Sequence, residues 1–101
     1  MPKIYEYLGL IIRFFSNDHE PIHIHAYYGE KQIKAEFTIV DGIITSIEYK
    51  KVAGYAIIPA SKMKDVEKLL EVYKYDIIQL WFKHFVLHEK IICKKITKKL
   101  P

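Results

Sequence analysis

The sequence predicts an α+β protein, in which an antiparallel sheet of about five N-terminal strands has one face covered by one or two C-terminal helices. The first part of the chain, to about residue 60, is rich in branched and aromatic side chains that alternate with polar ones, as strands do. From Ser61 onward, the apolar residues recur at helical spacing instead. Strands followed by helices indicate the α+β class. With no linker or repeat along its 101 residues, the chain is predicted to form one domain, residues 1–101.

Five main strands are predicted before the helical region. They are Lys3–Tyr7, Leu10–Phe15, Ile22–Tyr28, Gln32–Val40 and Ile43–Lys50. Asp41-Gly42 is the strongest hairpin signal, because both residue types tolerate positive φ. The alternation in the strand after it predicts one shared face for Ile43, Thr45, Ile47 and Tyr49. Val52–Ile58 is predicted as a short edge strand that stops at Pro59.

Helical periodicity begins after Ser61, which is the predicted N-cap. The apolar stripe consists of Val66, Leu69, Leu70, Tyr73, Ile77, Ile78, Trp81, Phe82 and Phe85. Two interpretations stay open, because a second helix can begin at Asp76 with a variant capping box, or one bent helix can continue through Lys74 and Tyr75. The tail, residues 89–100, is expected to add a last short strand.

Composition restricts the class of protein. Half of the residues are hydrophobic, which argues against disorder, and the net charge of +4 permits contact with nucleic acid or an acidic partner. No apolar run approaches the roughly 20 residues that span a bilayer, and the N-terminus lacks the pattern of a signal peptide. Cys93 is the single cysteine and suits a reducing compartment. We therefore expect a cytoplasmic protein without membrane contact.

The candidate functional region is the stretch 18–25, which holds three of the five histidines. His23 and His25 are two residues apart, so on a strand both imidazoles point to the same face. Pro21 fixes its own φ, which places His19 on a stiff turn that enters this strand. Groups that bind metals or move protons near neutral pH are therefore held close together.

Several motifs resemble a known family. Met1-Pro2-Lys3-Ile4, Gly9 and the run from Ser16 to His25 are similar to a small prokaryotic family catalogued as domain of unknown function 4160. The resemblance covers nearly the whole chain, including the helix with Leu80-Trp81. Members are often encoded beside a second small protein. The resemblance therefore implies a two-gene module of a toxin–antitoxin or regulatory kind, with the neighbouring gene product as partner, and it implies no established activity.

Metal binding is the first chemical interpretation of the histidines. Neutral imidazoles bind zinc and other divalent transition metals, usually in sets of three or four protein ligands. The candidate ligands are His19, His23 and His25, with Asp18, His84 and His88 as further candidates. The last two are four residues apart, so on a helix they share one face and can join the turn if the helix docks over it.

Two other interpretations of the histidines stay open. Two imidazoles that face one phosphodiester can act as base and acid, with nearby cations stabilising charge, as in a ribonuclease-like or metal-dependent hydrolase. The available cations are Arg13, Lys34, Lys50 and Lys51. The alternative is structural: Asp18 and Asn17 cap the turn, and the imidazoles are buried and hydrogen-bonded.

Nucleic-acid binding and self-association are further expectations. The densest basic cluster is in the tail and comprises Lys94, Lys95, Lys98 and Lys99, although a solvated, frayed end is the more common role of such a cluster. The predicted edge strand Val52–Ile58 can pair across a homodimer. The leading hypothesis is a small interaction or regulatory protein whose histidine-rich turn is a metal site or a contact surface.

Overall fold

The computed structural model describes residues 2–14 and 22–101, and these form the predicted α+β arrangement. The strands are β1 Lys3–Tyr7, β2 Leu10–Phe14, β3 Ile22–Tyr28, β4 Lys31–Val40, β5 Ile43–Lys51 and β6 Lys94–Ile96. One long helix, α1, extends from Ala60 to Trp81 and continues as a π-helical turn over Phe82–Val86. The described residues contain no helix that is both long and apolar enough to cross a membrane.

The strands form one sheet in the order β5-β4-β3-β2-β1-β6. Neighbours from β1 to β5 are antiparallel, as expected for strands joined by short turns, whereas β6 pairs in parallel with β1. The tail therefore adds the short strand that the sequence predicts, at residues 94–96. It extends the sheet on the edge opposite to β5.

The hairpin between β4 and β5 forms at Asp41-Gly42, as predicted. Both residues have positive φ, 53° and 78°, which suits the twist of the strands they join. A bulge between Thr38 and Ile39 shifts the register, so Ile44 faces the core although Ile43 is 60% exposed. The bulge gives β5 one more residue than β4 at this point, and this extra residue reverses the alternation of β5. Ile43 and Thr45 therefore do not share the face of Ile47 and Tyr49, and the prediction of one shared face is wrong.

The segment Val52–Ile58 is not a strand, contrary to the prediction. Gly54 has a φ of 84°, and the amide of Tyr55 donates a hydrogen bond of 3.1 Å to the carbonyl of Val52, so the chain turns there. A single bond of 3.0 Å, from the amide of Gln32 to the carbonyl of Ala56, ties the segment to β4. The described edge strand on this side is β5, and the reason for expecting a dimer contact at 52–58 is lost.

Helix α1 begins after Pro59 and not at Ser61. The amides of Lys62 and Met63 both donate to the Pro59 carbonyl at 2.9 Å, and no side-chain cap forms. Pro59, with φ −58° and ψ 149°, thus occupies the N-cap position that the sequence assigns to Ser61. The helix continues without a break past Asp76, so the structure agrees with the single-helix interpretation.

The core lies between α1 and one face of the sheet. The fully buried residues of the helix are Val66, Leu69, Leu70 and Ile77. They meet the inward side chains of the strands, among which Leu10, Ile12, Ile24 and Phe37 are almost fully buried. The rings of Tyr5 and Tyr73 join the two layers, with centroids 5.0 Å apart. One sheet face is thus used for packing, and the opposite face carries His23 and His25.

Candidate functional site

His23, His25 and Tyr27 form a row on the sheet face opposite to α1. Strand β3 alternates, so Ile22, Ile24 and Ala26 are buried in the core while the three rings point to the other side. The ring centroids of His23 and His25 are 6.1 Å apart, and those of His25 and Tyr27 are 6.3 Å apart. Period-two alternation predicts the shared face of the two histidines, and the structure confirms it.

Cross-strand neighbours complete this surface. We call it the histidine face, and it comprises His23, His25 and Tyr27 with Arg13, Gln32, Lys34 and Glu36. In the sheet register, Arg13 of β2 and Lys34 of β4 lie on either side of His25. The guanidinium carbon of Arg13 is 5.9 Å from the ring centroid of Tyr27. An imidazole is therefore placed between two cationic side chains.

His25 is the most buried titratable group of the histidine face. Its side chain and that of Gln32 are each 4% exposed, and the Nδ1–H of His25 donates a hydrogen bond to the Oε1 of Gln32. Burial lowers the pKa of His25 below its ordinary value; the bond to Gln32 opposes this shift, and the charges of His23 and Lys34 add to it. His25 is therefore neutral at pH 7, and the lone pair of its imidazole is on Nε2, a nitrogen that is itself buried.

A carboxylate between lysines borders the row. The Oε1 of Glu36 lies 2.6 Å from the Nζ of Lys50, and its Oε2 lies 3.3 Å from the Nζ of Lys34. The hydrogen bond from Lys50 is the main reason why the pKa of Glu36 is lowered. Glu36 is thus ionised at neutral pH and directly opposite His23 in the register. It gives this end of the surface a negative charge among several positive ones.

The second histidine pair lies on the other side of the sheet. The ring of His84 stacks on Phe14, with centroids 6.1 Å apart, and contacts Phe85 at 4.5 Å. Phe14 points into the core that α1 covers, whereas its neighbour Arg13 belongs to the histidine face. The sheet therefore separates His84 from His23 and His25.

His84 and His88 do not share a helical face, contrary to the prediction. The helical turn ends at Val86, and His88 follows with a φ of 56°. Both histidines nevertheless line a shallow cavity of about 480 Å³. Asp18 and His19 lie outside the described residues. Within residues 2–14 and 22–101, no three side chains from histidine, cysteine, aspartate and glutamate come together to hold a metal.

The basic tail is divided between two faces of the sheet. The Nζ of Lys94 lies 4.9 Å from the ring centroid of Tyr73, on the helix side, whereas the Nζ of Lys95 lies 4.0 Å from a carboxylate oxygen of Glu6. Lys98 and Lys99 follow β6 and are exposed. The four lysines therefore do not form one continuous patch, because strand alternation sends the first two in opposite directions.

The fold and the surface define a class: a two-layer α+β protein with a histidine-bearing polar face on its sheet. Within that class, the chain belongs to the family described as Domain of unknown function (DUF4160), which it matches over residues 9–82. The match includes the histidine face and all of α1. No curated protein and no solved structure matches the chain.

Proposed function

We propose that the protein is a small interaction or regulatory protein that binds a partner encoded beside it, and that the histidine face is the contact surface. The observation that carries the proposal is the row of half-buried or buried rings between Arg13 and Lys34, on the side of the sheet that does not pack against α1. Aromatic and arginine side chains are the groups most enriched at the centre of protein interfaces.

The charge of this surface indicates the chemistry of the partner. Arg13, Lys34 and Lys50 outnumber the carboxylates of Glu36 and Glu48, both of which lie within 4 Å of the Nζ of Lys50. An acidic partner surface would complement this excess of one positive charge and increase the rate of association. We therefore expect an acidic contact surface on the neighbouring gene product.

Co-purification with the neighbouring gene product tests the proposal. Arg13→Glu is expected to weaken the complex by at least about fivefold, because truncation of an arginine anchor at an interface centre costs more than about 1 kcal/mol. The matched control is Lys68→Glu, an equally large charge reversal on the exposed side of α1. Absence of binding at micromolar concentrations, or equal weakening by both variants, would contradict the proposal.

A divalent metal at the histidine row is a second candidate function. The bond between His25 and Gln32 is the kind of support that orients a ligating imidazole and fixes its tautomer. An imidazole nitrogen lies about 2.0–2.1 Å from zinc, so a ring centre lies roughly 3 Å from the ion. The separation of 6.1 Å between His23 and His25 is compatible with one ion between them. His19 and Asp18 are the proposed additional ligands.

Elemental analysis of protein purified without a histidine tag tests the metal proposal. We expect about one equivalent of metal per chain in the parent protein and its loss in the double variant His23→Ala, His25→Ala. His84→Ala, on the other side of the sheet, is the control and should keep the metal. A metal content that is unchanged by the double variant would contradict this candidate.

Histidine-dependent cleavage of RNA is the remaining proposal for this surface. It is favoured by the position of neutral His25 between Arg13 and Lys34, because a base beside cations suits attack on a phosphodiester. Growth arrest on expression that disappears in the same double variant would support it. Toxicity that survives the double change would exclude these imidazoles as the catalysts.

A further inference from the structure

A wide groove of about 970 Å³ lies at one end of the sheet, where the turn between β3 and β4 meets the segment after β5. We call it the tyrosine groove, and its main lining residues are Tyr27, Tyr28, Gly29, Lys31, Gly54 and Tyr55. The bond from the amide of Gln32 to the carbonyl of Ala56 holds the two walls together. The groove is at the large end of the range of about 300–1,000 Å³ that is typical of ligand sites.

Tyrosine rings and the backbone of two glycines form the walls of the tyrosine groove. Tyr55 is 53% exposed at the rim, whereas Tyr27 and Tyr28 are half-buried. Gly29 and Gly54 have φ values of 59° and 84°, and a Cβ added at either would meet no atom within 4 Å. A planar ligand can therefore approach the tyrosine rings closely from the side of the glycines.

Cationic side chains lie beside these rings. Lys31 is exposed in the wall, and the guanidinium carbon of Arg13 lies 5.9 Å from the ring centroid of Tyr27. The Nζ of Lys62 lies 5.1 Å from the ring centroid of Tyr28 and also contacts the Leu8 carbonyl and Asp65. Glu30 is the one acidic residue among those that line the groove. Cations beside partly exposed aromatic rings complement a ligand that combines flat groups with negative charge. A neutral proline-rich peptide would use the rings and leave the cations unused.

We propose that the tyrosine groove binds single-stranded nucleic acid, with bases stacked on Tyr55 and Tyr27 and a phosphate beside Lys31. Stacking on aromatic side chains and contact between cations and phosphates are the two interactions that such ligands need. The tyrosine groove shares Tyr27 with the histidine face, which is the proposed partner contact. Tyr55 and Lys31 belong to the groove alone.

Fluorescence anisotropy with a labelled oligouridylate of about ten nucleotides tests the proposal, since sites of this kind bind about 4–16 nucleotides. Tyr55→Ala is expected to weaken binding about tenfold by removing one stacking surface. Lys31→Glu is expected to weaken binding and to reduce the slope of log K against log salt concentration by about one. Circular dichroism should confirm that both variants fold, because both side chains are exposed.

Two control variants distinguish binding in the tyrosine groove from a general effect of losing a positive charge or an aromatic ring elsewhere on the surface. Tyr75→Ala removes a tyrosine of similar exposure, 47%, from α1, and Lys68→Glu reverses an exposed charge on the same helix. Both controls should retain the parent affinity. Equal losses in groove and control variants, an affinity that does not fall with salt, or displacement of the oligonucleotide by a neutral proline-rich peptide would overturn the proposal. Co-purification of the partner with Tyr55→Ala reports on the histidine face independently.

Discussion

The Nδ1–H of His25 donates a hydrogen bond to the Oε1 of Gln32 across β3 and β4, on the sheet face opposite to α1. The direct cross-strand neighbour of Gln32 is Tyr27, so the bond runs diagonally between residues two positions apart in the register. Both side chains are buried, and the bond therefore fixes the orientation and the tautomer of the imidazole. The same contact serves stability and determines which ring nitrogen can accept a proton.

Gln32→Ala should lower the free energy of unfolding by about 1–3 kcal/mol. The variant removes the acceptor for a buried N–H, and an unsatisfied buried donor has a desolvation penalty of that size. Urea denaturation provides the measurement. Gln79→Ala, in the exposed part of α1, is the matched control and should change stability by less than about 0.5 kcal/mol. Equal stability of both variants would show that the bond contributes nothing.

Acidification should destabilise the protein through His25. Its pKa is lowered in the folded state, mainly by burial, so below about pH 6.5 the unfolded chain binds a proton that the folded chain does not. Stability is therefore fully present above the unfolded pKa and declines as the pH falls through the interval to the folded pKa. His25→Asn should flatten this part of the stability profile, as measured by urea denaturation at several pH values. A profile that keeps its full slope in the variant would rule out His25 as the source.

The sequence predicts the sheet well because its signals are local. Branched and aromatic residues between turn signals give the bounds of β1 and β3, and Asp41-Gly42 identifies the hairpin. The bulge between Thr38 and Ile39 has no comparable local signal, so the inward residues of β5 are predicted incorrectly. Likewise, Pro59 and Ser61 are both acceptable at a helix start, and only the observed hydrogen bonds decide between them.

The candidate site is predicted only in part, because its partners are distant in sequence. The shared face of His23 and His25 follows from strand geometry, and Arg13 and Lys34 are expected as nearby cations. Gln32 is not predicted as the hydrogen-bond partner of His25. The predicted reversal at Gly29 nevertheless joins β3 to β4 in a register that brings these two side chains together. The two histidine pairs are separated because α1 covers the sheet face opposite to His23 and His25. The spacing of residues along the sequence does not reveal which face a helix will cover, so this separation is not predicted.

Gly42→Ala should destabilise the protein by about 1 kcal/mol or more. Gly42 has a φ of 78°, and a Cβ in the left-handed region clashes with the neighbouring carbonyl. Asp41, at 53°, should tolerate replacement by asparagine, which also adopts this conformation readily. Thermal and urea unfolding of Gly42→Ala and Asp41→Asn compare the two. Ser46→Ala, at an exposed position of β5, controls for changes elsewhere in the hairpin.

Alkaline pH should destabilise the protein through Tyr49. Burial, followed by the charges of Glu67 and Glu71, raises the pKa of Tyr49 to about 12. The unfolded tyrosine ionises near pH 10, so the contribution to stability is fully present below that pH and is lost as the pH rises toward 12. Tyr49→Phe should reduce the alkaline decline in the free energy of unfolding. If the variant and the parent lose stability in parallel, Tyr49 is not responsible.

Deletion of residues 94–101 should destabilise the domain, because the tail is part of the sheet and not a frayed end. Strand β6 pairs with β1, and the amide of Leu100 donates a bond of 2.9 Å to the hydroxyl of Tyr7. Loss of several backbone bonds, each contributing about 0.5–1.5 kcal/mol, would also leave β1 as an unpaired edge that favours aggregation. Lys98→Ala with Lys99→Ala changes only exposed charge and should leave stability within about 0.5 kcal/mol. Urea denaturation distinguishes these outcomes, and a deletion variant as stable as the full chain would show that β6 pairing contributes nothing.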